Sequence, residues 1–256
     1  MLTIQPLPAF NDNYIWVIED PMSDKVAVVD PGDAAVVEHY LHQHSKTLTA
    51  ILITHHHADH TGGVDTLMAR HTLRVFGPGN SPFKGITHPV QEGDCINLLG
   101  YTFNVKAVPA HTLDHIAYYE PNQGVLFCGD TLFMAGCGRL FEGNAQQMQA
   151  AMDYFASLSD DTRVFCTHEY SLANLTFAAT AEPDNTDIKI TTEHCLTLRE
   201  TGQPTLPSRI GLEKKINPYM RTRTPSIIKN AETFSNRKLT SAHDVLGVLR
   251  EWKNGF

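Results

Sequence analysis

The sequence predicts an α/β fold: two sheets packed together with helices outside, a four-layer arrangement, followed by a small helical domain. Two patterns carry that expectation. Short runs rich in β-branched and aromatic residues recur up to about residue 166 with helical segments between them, and beyond about residue 170 the strand-like runs give way to helical periodicity. The expected division is therefore residues 1–170 as one domain and residues 171–256 as a second, joined without a long flexible linker.

Tyr14–Ile18 and Val26–Val29 are apolar runs split by the turn-type sequence Asp20-Pro21-Met22-Ser23-Asp24, which predicts an antiparallel hairpin. Asp30-Pro31-Gly32-Asp33 closes the second run and opens a helix through His44, with apolar positions at Val36, Val37, Tyr40 and Leu41. Ala50–Ile53 reads as a buried strand, and Val64, Leu67, Met68 and His71 recur at helical spacing after it. Further strands are expected at Leu73–Phe76, Cys95–Leu98, Tyr101–Val108, His115–Tyr119, Gly124–Cys128 and Arg163–Cys166. A helix is expected over Ala145–Leu158, where Asn144 and Gln147 have the spacing of a capping box. In the second domain, Ser171–Ala181, Asp187–Thr201 and Ser241–Lys253 read as helices.

Between the strand at 50–53 and Thr61-Gly62-Gly63 lies Thr54-His55-His56-His57-Ala58-Asp59-His60. Four ligand-type side chains in six positions serve no packing purpose, and imidazole with carboxylate suits zinc and neighbouring first-row metals. In extended backbone His55 and His57 point to one side, so they can converge on one ion while Asp59 and His60, on the following turn, face a second. His111, Asp130 and His168 repeat the design, each standing where a strand runs out. Together these are five histidines and two aspartates, enough to give two metals four protein ligands each if one carboxylate bridges. Asp30, at a strand end, is expected to support a neighbouring ligand.

The chain carries 28 acidic against 20 basic residues, a net charge of −8, with no basic stripe. That balance argues against nucleic acid and anionic membranes as partners, and it requires a local cationic patch for any anionic substrate. Five cysteines, scattered without CxxC spacing, indicate neither a disulfide framework nor a cysteine zinc site. With no secretory signal and no run of about 18 apolar residues, the expected setting is the cytoplasm.

THHHADH with His111, Asp130 and His168 resembles the metallo-β-lactamase superfamily, whose HxHxDH signature begins a dinuclear site in an αβ/βα sandwich. Within it, Asn11-Asp12-Asn13-Tyr14, the segment Gly136-Cys137-Gly138-Arg139-Leu140-Phe141-Glu142-Gly143, His168-Glu169-Tyr170 and the helical tail resemble the hydroxyacylglutathione hydrolase (glyoxalase II) family. The resemblance implies that His55, His57 and His111 hold one divalent ion, that Asp59, His60 and His168 hold the other, and that Asp130 bridges them. His56 would be a non-ligand. Zinc is the expected metal, with iron and manganese as other occupants. The implied reaction is hydrolysis of S-D-lactoylglutathione to D-lactate and glutathione, the second step of methylglyoxal detoxification, by a hydroxide shared between the ions. Asp59 and Asp130 would be the catalytic carboxylates, and the protein would act as a monomer.

Substrate contacts implied by the resemblance fall on Arg139, Phe141, Tyr170, Arg250 and Lys253. The family often has lysine and tyrosine where Arg139 and Phe141 stand, so one hydroxyl contact is lost here. Arg250 and Lys253 lie three apart on a helix and offer cations to a carboxylate; Arg221 and Arg223 read as structural or surface residues. Two other readings compete: a mononuclear-iron persulfide dioxygenase of the same superfamily, and a non-catalytic metal-binding protein.

Overall fold

The computed structural model describes residues 2–256, which divide into two compact units. One comprises the chain up to Ala107 together with Asp114–Gly129; the other comprises Val108–Leu113 with Asp130–Phe256.

The first unit is built on a six-stranded sheet running in chain order: β1 (Thr3–Ala9), β2 (Asn13–Glu19), β3 (Lys25–Val29), β4 (Thr47–Leu52), β5 (Arg74–Pro78) and β6 (His88–Val90). The first three strands pair antiparallel, and β3 through β6 pair parallel. Parallel pairing needs crossovers, supplied by α1 (Ala34–His44) between β3 and β4, and by the short α2 (Ala58–Thr61) with α3 (Val64–Arg70) between β4 and β5. Asp33 caps α1 by accepting from the Ala35 amide. Ile15, Val17, Val26, Val28 and Ile51 pack with Val37, Leu41, Val64 and Leu67 of the helices in one apolar core. Their neighbours Trp16, Ile18, Ala27, Val29 and Leu52 are equally buried, so the sheet is covered on both faces. The unit also contains an antiparallel meander of β7 (Cys95–Leu98), β8 (Tyr101–Ala107), β9 (Ile116–Glu120) and β10 (Val125–Gly129). The Tyr118 hydroxyl of β9 donates to the Ile53 carbonyl just after β4, at 2.8 Å.

The second unit holds the small hairpin β11 (Leu132–Phe133) and β12 (Gly136–Cys137), α4 (Ala145–Ala156) and β13 (Arg163–Cys166). It continues with the C-terminal helical region: α5 (Ser171–Ala181), α6 (Thr186–Glu200), the two-residue strand β14 (Ser208–Arg209), α7 (Ile210–Ile216), α8 (Pro225–Ser235) and α9 (Ala242–Asn254). Strand structure thus does not end at 170 as expected, because β14 pairs antiparallel with β13. The capping box at Asn144 and Gln147 is present, and Ser241 with Asp244 forms a second at α9.

The α/β sandwich with a helical C-terminal region matches the expected fold class. No helix among the described residues is long and apolar enough to cross a membrane.

Candidate metal centre

In the first unit the chain leaves β4 through Ile53 and Thr54 and turns into α2, so His55 to His60 occupy a single bend. The turn is organised by Asp30, a buried residue at the end of β3. Its carboxylate accepts from the Thr54 amide at 2.8 Å and the Thr54 hydroxyl at 2.7 Å, and it lies 3.0 Å from His60 Nδ1. The support expected of Asp30 is therefore directed at His60. Since an ionised carboxylate only accepts, this contact puts the proton of a neutral His60 on Nδ1 and its lone pair on Nε2. That Nε2 stands 3.4 Å from Asp59 Oδ2.

His55 Nε2 and His57 Nδ1 approach to 3.1 Å, while the His55 ring stacks on His115 at 4.6 Å between centroids. His56 turns elsewhere and places Nδ1 2.9 Å from Asp114 Oδ1, as the alternation of an extended segment requires. Gly129 closes this corner with φ +49: a Cβ there would lie 2.4 Å from Thr54 Oγ1 and 2.8 Å from His115 Cε1, so only glycine fits. Asp114 and His115 were not singled out from the sequence because they open an expected strand rather than follow one.

In the second unit the buried Asp130 receives two imidazoles on one oxygen: His168 Nε2 at 3.3 Å and His111 Nε2 at 3.5 Å from Oδ2. His111 Nδ1 donates to the Arg139 carbonyl at 2.8 Å, which again turns the lone pair of a neutral ring toward a carboxylate. The His168 ring stacks on Tyr170 at 4.7 Å and meets Phe133 edge-on.

Both units therefore contain an imidazole nitrogen facing a carboxylate oxygen while its other nitrogen is committed to an acceptor. Two acceptors at such distances require a proton or a cation between them, and nitrogen with carboxylate oxygen is the donor set of zinc and first-row metals. The His and Asp groups fit divalent metal ions.

The hairpin after Asp130 is held by side chains of the helical region. Asn217 Nδ2 donates to the Phe133 and Gly136 carbonyls at 3.1 and 3.0 Å, and Asn174 Nδ2 donates to Met134 O at 3.1 Å. The buried Glu213 carboxylate accepts from the Ala135 amide, from Asn217 and from Ser208. Burial pushes its pKa up to about 7 against the opposing pull of those donors.

Arg139, Phe141 and Arg250 line one open pocket of about 460 Å³ with Leu140, Gly247, Glu251 and Asn254. Phe141 is 61% exposed and meets the His111 ring edge-on at 5.2 Å. Arg250 is only 7% exposed; it donates to the Cys137 carbonyl at 2.8 Å and lies over the Tyr219 ring. Lys253 is not among the lining residues. Its ammonium donates to the Ala173 carbonyl at 2.9 Å between the rings of Phe177 and Phe256, and burial followed by the nearby Arg250 charge lowers its pKa. Tyr170, partly exposed, precedes α5. Arg221 pairs with Glu182 through two 2.8 Å bonds, and Arg223 pairs with Asp153, so both serve the scaffold.

Comparison with known proteins identifies the family. Residues 10–168 match the metallo-beta-lactamase superfamily, and residues 169–256 match the hydroxyacylglutathione hydrolase C-terminus. Hydroxyacylglutathione hydrolases of Chromohalobacter salexigens and Pseudomonas fluorescens are 50% and 47% identical to the chain, over the full length of both partners. Hydroxyacylglutathione hydrolase 2 of Vibrio vulnificus is 48% identical, again over full length. Among solved structures, ETHE1 from Myxococcus xanthus superposes with a TM-score of 0.66 at 23% identity, covering all of both chains. The BLEG-1 B3 metallo-beta-lactamase superposes at 0.64 and 22% identity, covering 86% of this chain and 99% of its own. These two likenesses concern the fold alone. The chain belongs to the hydroxyacylglutathione hydrolase family of the metallo-β-lactamase superfamily.

Proposed function

We propose that this protein hydrolyses S-2-hydroxyacylglutathione thioesters, with S-D-lactoylglutathione as the substrate and D-lactate and glutathione as products, the second step of methylglyoxal detoxification. The observation that carries the reading is the recurrence, in both units, of an imidazole nitrogen turned toward a carboxylate by a support on its other nitrogen. Full-length identity near 50% to hydroxyacylglutathione hydrolases supplies the substrate class.

The family pattern assigns His55, His57 and His111 to one divalent ion and Asp59, His60 and His168 to the other, with Asp130 shared. Zinc is the proposed metal, with iron or manganese as alternatives. Bound there, such ions lower the pKa of water and polarise the thioester carbonyl. The protein's own groups do the rest. Asp30 and the Arg139 carbonyl fix the tautomers of His60 and His111, so that neutral nitrogens meet the ions. Asp59 and Asp130 supply anionic oxygen, and Asp59 can also orient the attacking water. The leaving thiol, with an ordinary pKa near ~8.5, departs as thiolate with little acid assistance, so no Ser-His-Asp arrangement is needed.

Glutathione carries two carboxylates while the chain carries a net −8, so recognition needs placed cations. Arg139 and Arg250 line the pocket beside the apolar Phe141; Lys253 and Tyr170, outside that lining, are the weaker members of the proposed contact set. On this reading residues 1–170 form the catalytic domain and residues 171–256 the helical substrate-binding domain of a cytoplasmic monomer.

The test is hydrolysis of S-D-lactoylglutathione against acyl thioesters of coenzyme A and of small uncharged thiols. The reading expects kcat/KM for the glutathione thioester to exceed the others by at least about 10²-fold, roughly 2.7 kcal/mol of discrimination. Equal rates on all three would overturn the substrate assignment.

A further inference from the structure

We infer that Asn13 is a positioning residue for Asp59, setting how tightly the Asp59 and His60 position holds its ion. The inference rests on the proposed metal reading and adds a residue to it.

Asp59 sits on α2, a four-residue helix, with its side chain 40% exposed. A carboxylate so placed keeps several rotamers in water, and restricting it to one orientation before binding raises affinity. Asn13 imposes that restriction. Its Nδ2 donates to Asp59 Oδ2 at 3.0 Å, and because an ionised carboxylate only accepts, the amide nitrogen is the atom that must face it. The amide is neutral, so it orients the carboxylate without cancelling the charge that a cation needs. A lysine at the same place would form an ion pair and compete with the metal.

The anchor is rigid. Asn13 is buried and opens β2, whose seven residues are all buried, and it pairs with Ala9 across the turn from β1. That turn lies beside Gly32, which itself abuts the backbone of Asp59. Phe10, in the left-handed region at φ +52, lays its ring against Gly32, where a Cβ would fall 2.8 Å from Phe10 Cε2 and 1.9 Å from the Asp59 carbonyl oxygen. Glycine at 32 is therefore required where the chain passes Asp59, and the buried Asn13 donates across to the Asp59 carboxylate from the adjoining strand.

Asp59 and His60 are thus supported from two neighbouring strand ends, Asn13 at the start of β2 and Asp30 at the end of β3. The Asn13 donor reaches Asp59, whereas Thr54 Oγ1, itself bonded to Asp30, stands 3.1 Å from His55 Nδ1. The consequence is selective: loss of the Asn13 donor weakens one ion and spares the other.

The test uses the full-length protein, stripped of metal and titrated with Zn2+ against a chelator of known affinity, comparing wild type with Asn13→Ala and the near-isosteric Asn13→Leu. The first equivalent is expected to bind as in wild type and the second about 10–100-fold more weakly, the usual cost of removing a support from a ligand. With Co2+ as probe, only the visible bands of the second equivalent should shift. Thermal unfolding of the metal-free proteins identifies a variant that fails to fold; Leu fills the volume that Ala vacates, so the comparison survives failure of the Ala form. Two tight equivalents in every protein would overturn the role of Asn13 while leaving the two-ion reading intact. Equal weakening of both equivalents would also overturn it. A single equivalent in wild type would overturn the two-ion reading itself.

Discussion

The bend at 55–60 gathers four imidazoles, three of them candidate ligands, and a carboxylate within six consecutive residues, whereas the second unit assembles His111, Asp130 and His168 from three separate strand exits. The chemistry is shared: in each, a nitrogen faces a carboxylate oxygen because the other nitrogen is held. The holding differs. Within the first unit one buried carboxylate, Asp30, binds both the entry to the bend at Thr54 and its exit at His60. Within the second, the residues after Asp130 hang from a set of amide, carboxylate and guanidinium contacts supplied by α5, α7 and α9. A contiguous ligand set needs one clamp; a dispersed one needs a scaffold.

The largest effect should come from the point where the dispersed set converges. Asp130→Ala is expected to remove metal from the protein and to lower kcat/KM by at least about 10³-fold, close to 4 kcal/mol of transition-state stabilisation. Metal analysis and steady-state assay on one preparation check it, and retained full activity would remove Asp130 from the shared position. Asp30→Asn probes the clamp. The amide can accept at one atom only, so His60 loses its fixed tautomer, and metal affinity should fall about 10–100-fold with a matching loss of activity at limiting metal. Excess Zn2+ should restore part of that activity if the fault lies in affinity.

Arg250 and Lys253 separate binding from scaffolding inside the helical region. Arg250→Ala is expected to raise KM for S-D-lactoylglutathione about tenfold, in keeping with loss of a charge-assisted hydrogen bond, with little change for a small uncharged thioester. Because the Cys137 carbonyl also loses its donor, the variant should be less stable by about 1–3 kcal/mol. Lys253→Ala should move KM less, since its ammonium is engaged by Ala173 and does not line the pocket. Equal KM effects on both thioesters would refute the carboxylate contact.

The smallest expected effect concerns pH. Glu213, ordinarily ionising near 4.5, titrates at about 7 in the fold, so the folded state holds a proton that the unfolded state releases. Its contribution to stability is complete below about 4.5 and is lost as pH rises through about 7. Wild type should therefore lose more thermal stability between pH 5 and pH 8 than Glu213→Gln, by a few degrees in Tm, on the order of 1 kcal/mol. Parallel Tm curves would show that Glu213 carries no such proton.

The bend at 55–60 stood out because its proposed ligands are local, and the candidates at 111, 130 and 168 because each follows an apolar run. The edge strands β1, β6 and β14 and the two-residue strands β11 and β12 did not. β1 contains Pro6 and Pro8, and β6 contains Pro89; proline suppresses a strand pattern, yet an edge strand tolerates it because one side of its ladder needs no donor. The helices α7 and α8 also escaped, although Thr224-Pro225 marks the start of α8. The supports were least legible of all. Asn13 and Asp59 are 46 residues apart, Asp30 and His60 are 30 apart, and nothing in local sequence announces that Glu213 is buried or that Arg250 is held by a carbonyl. Ligands advertise themselves by residue type, whereas their supports are ordinary polar residues identified only by where the chain folds back.

The most direct measurement of the central claim is metal content per chain together with S-D-lactoylglutathione turnover on the same sample, before and after chelation and re-addition of Zn2+. The account predicts close to two ions per chain, turnover that falls with their removal, and recovery when both are restored. One iron per chain with oxygen uptake on glutathione persulfide, or undiminished thioester hydrolysis by metal-free protein, would contradict it.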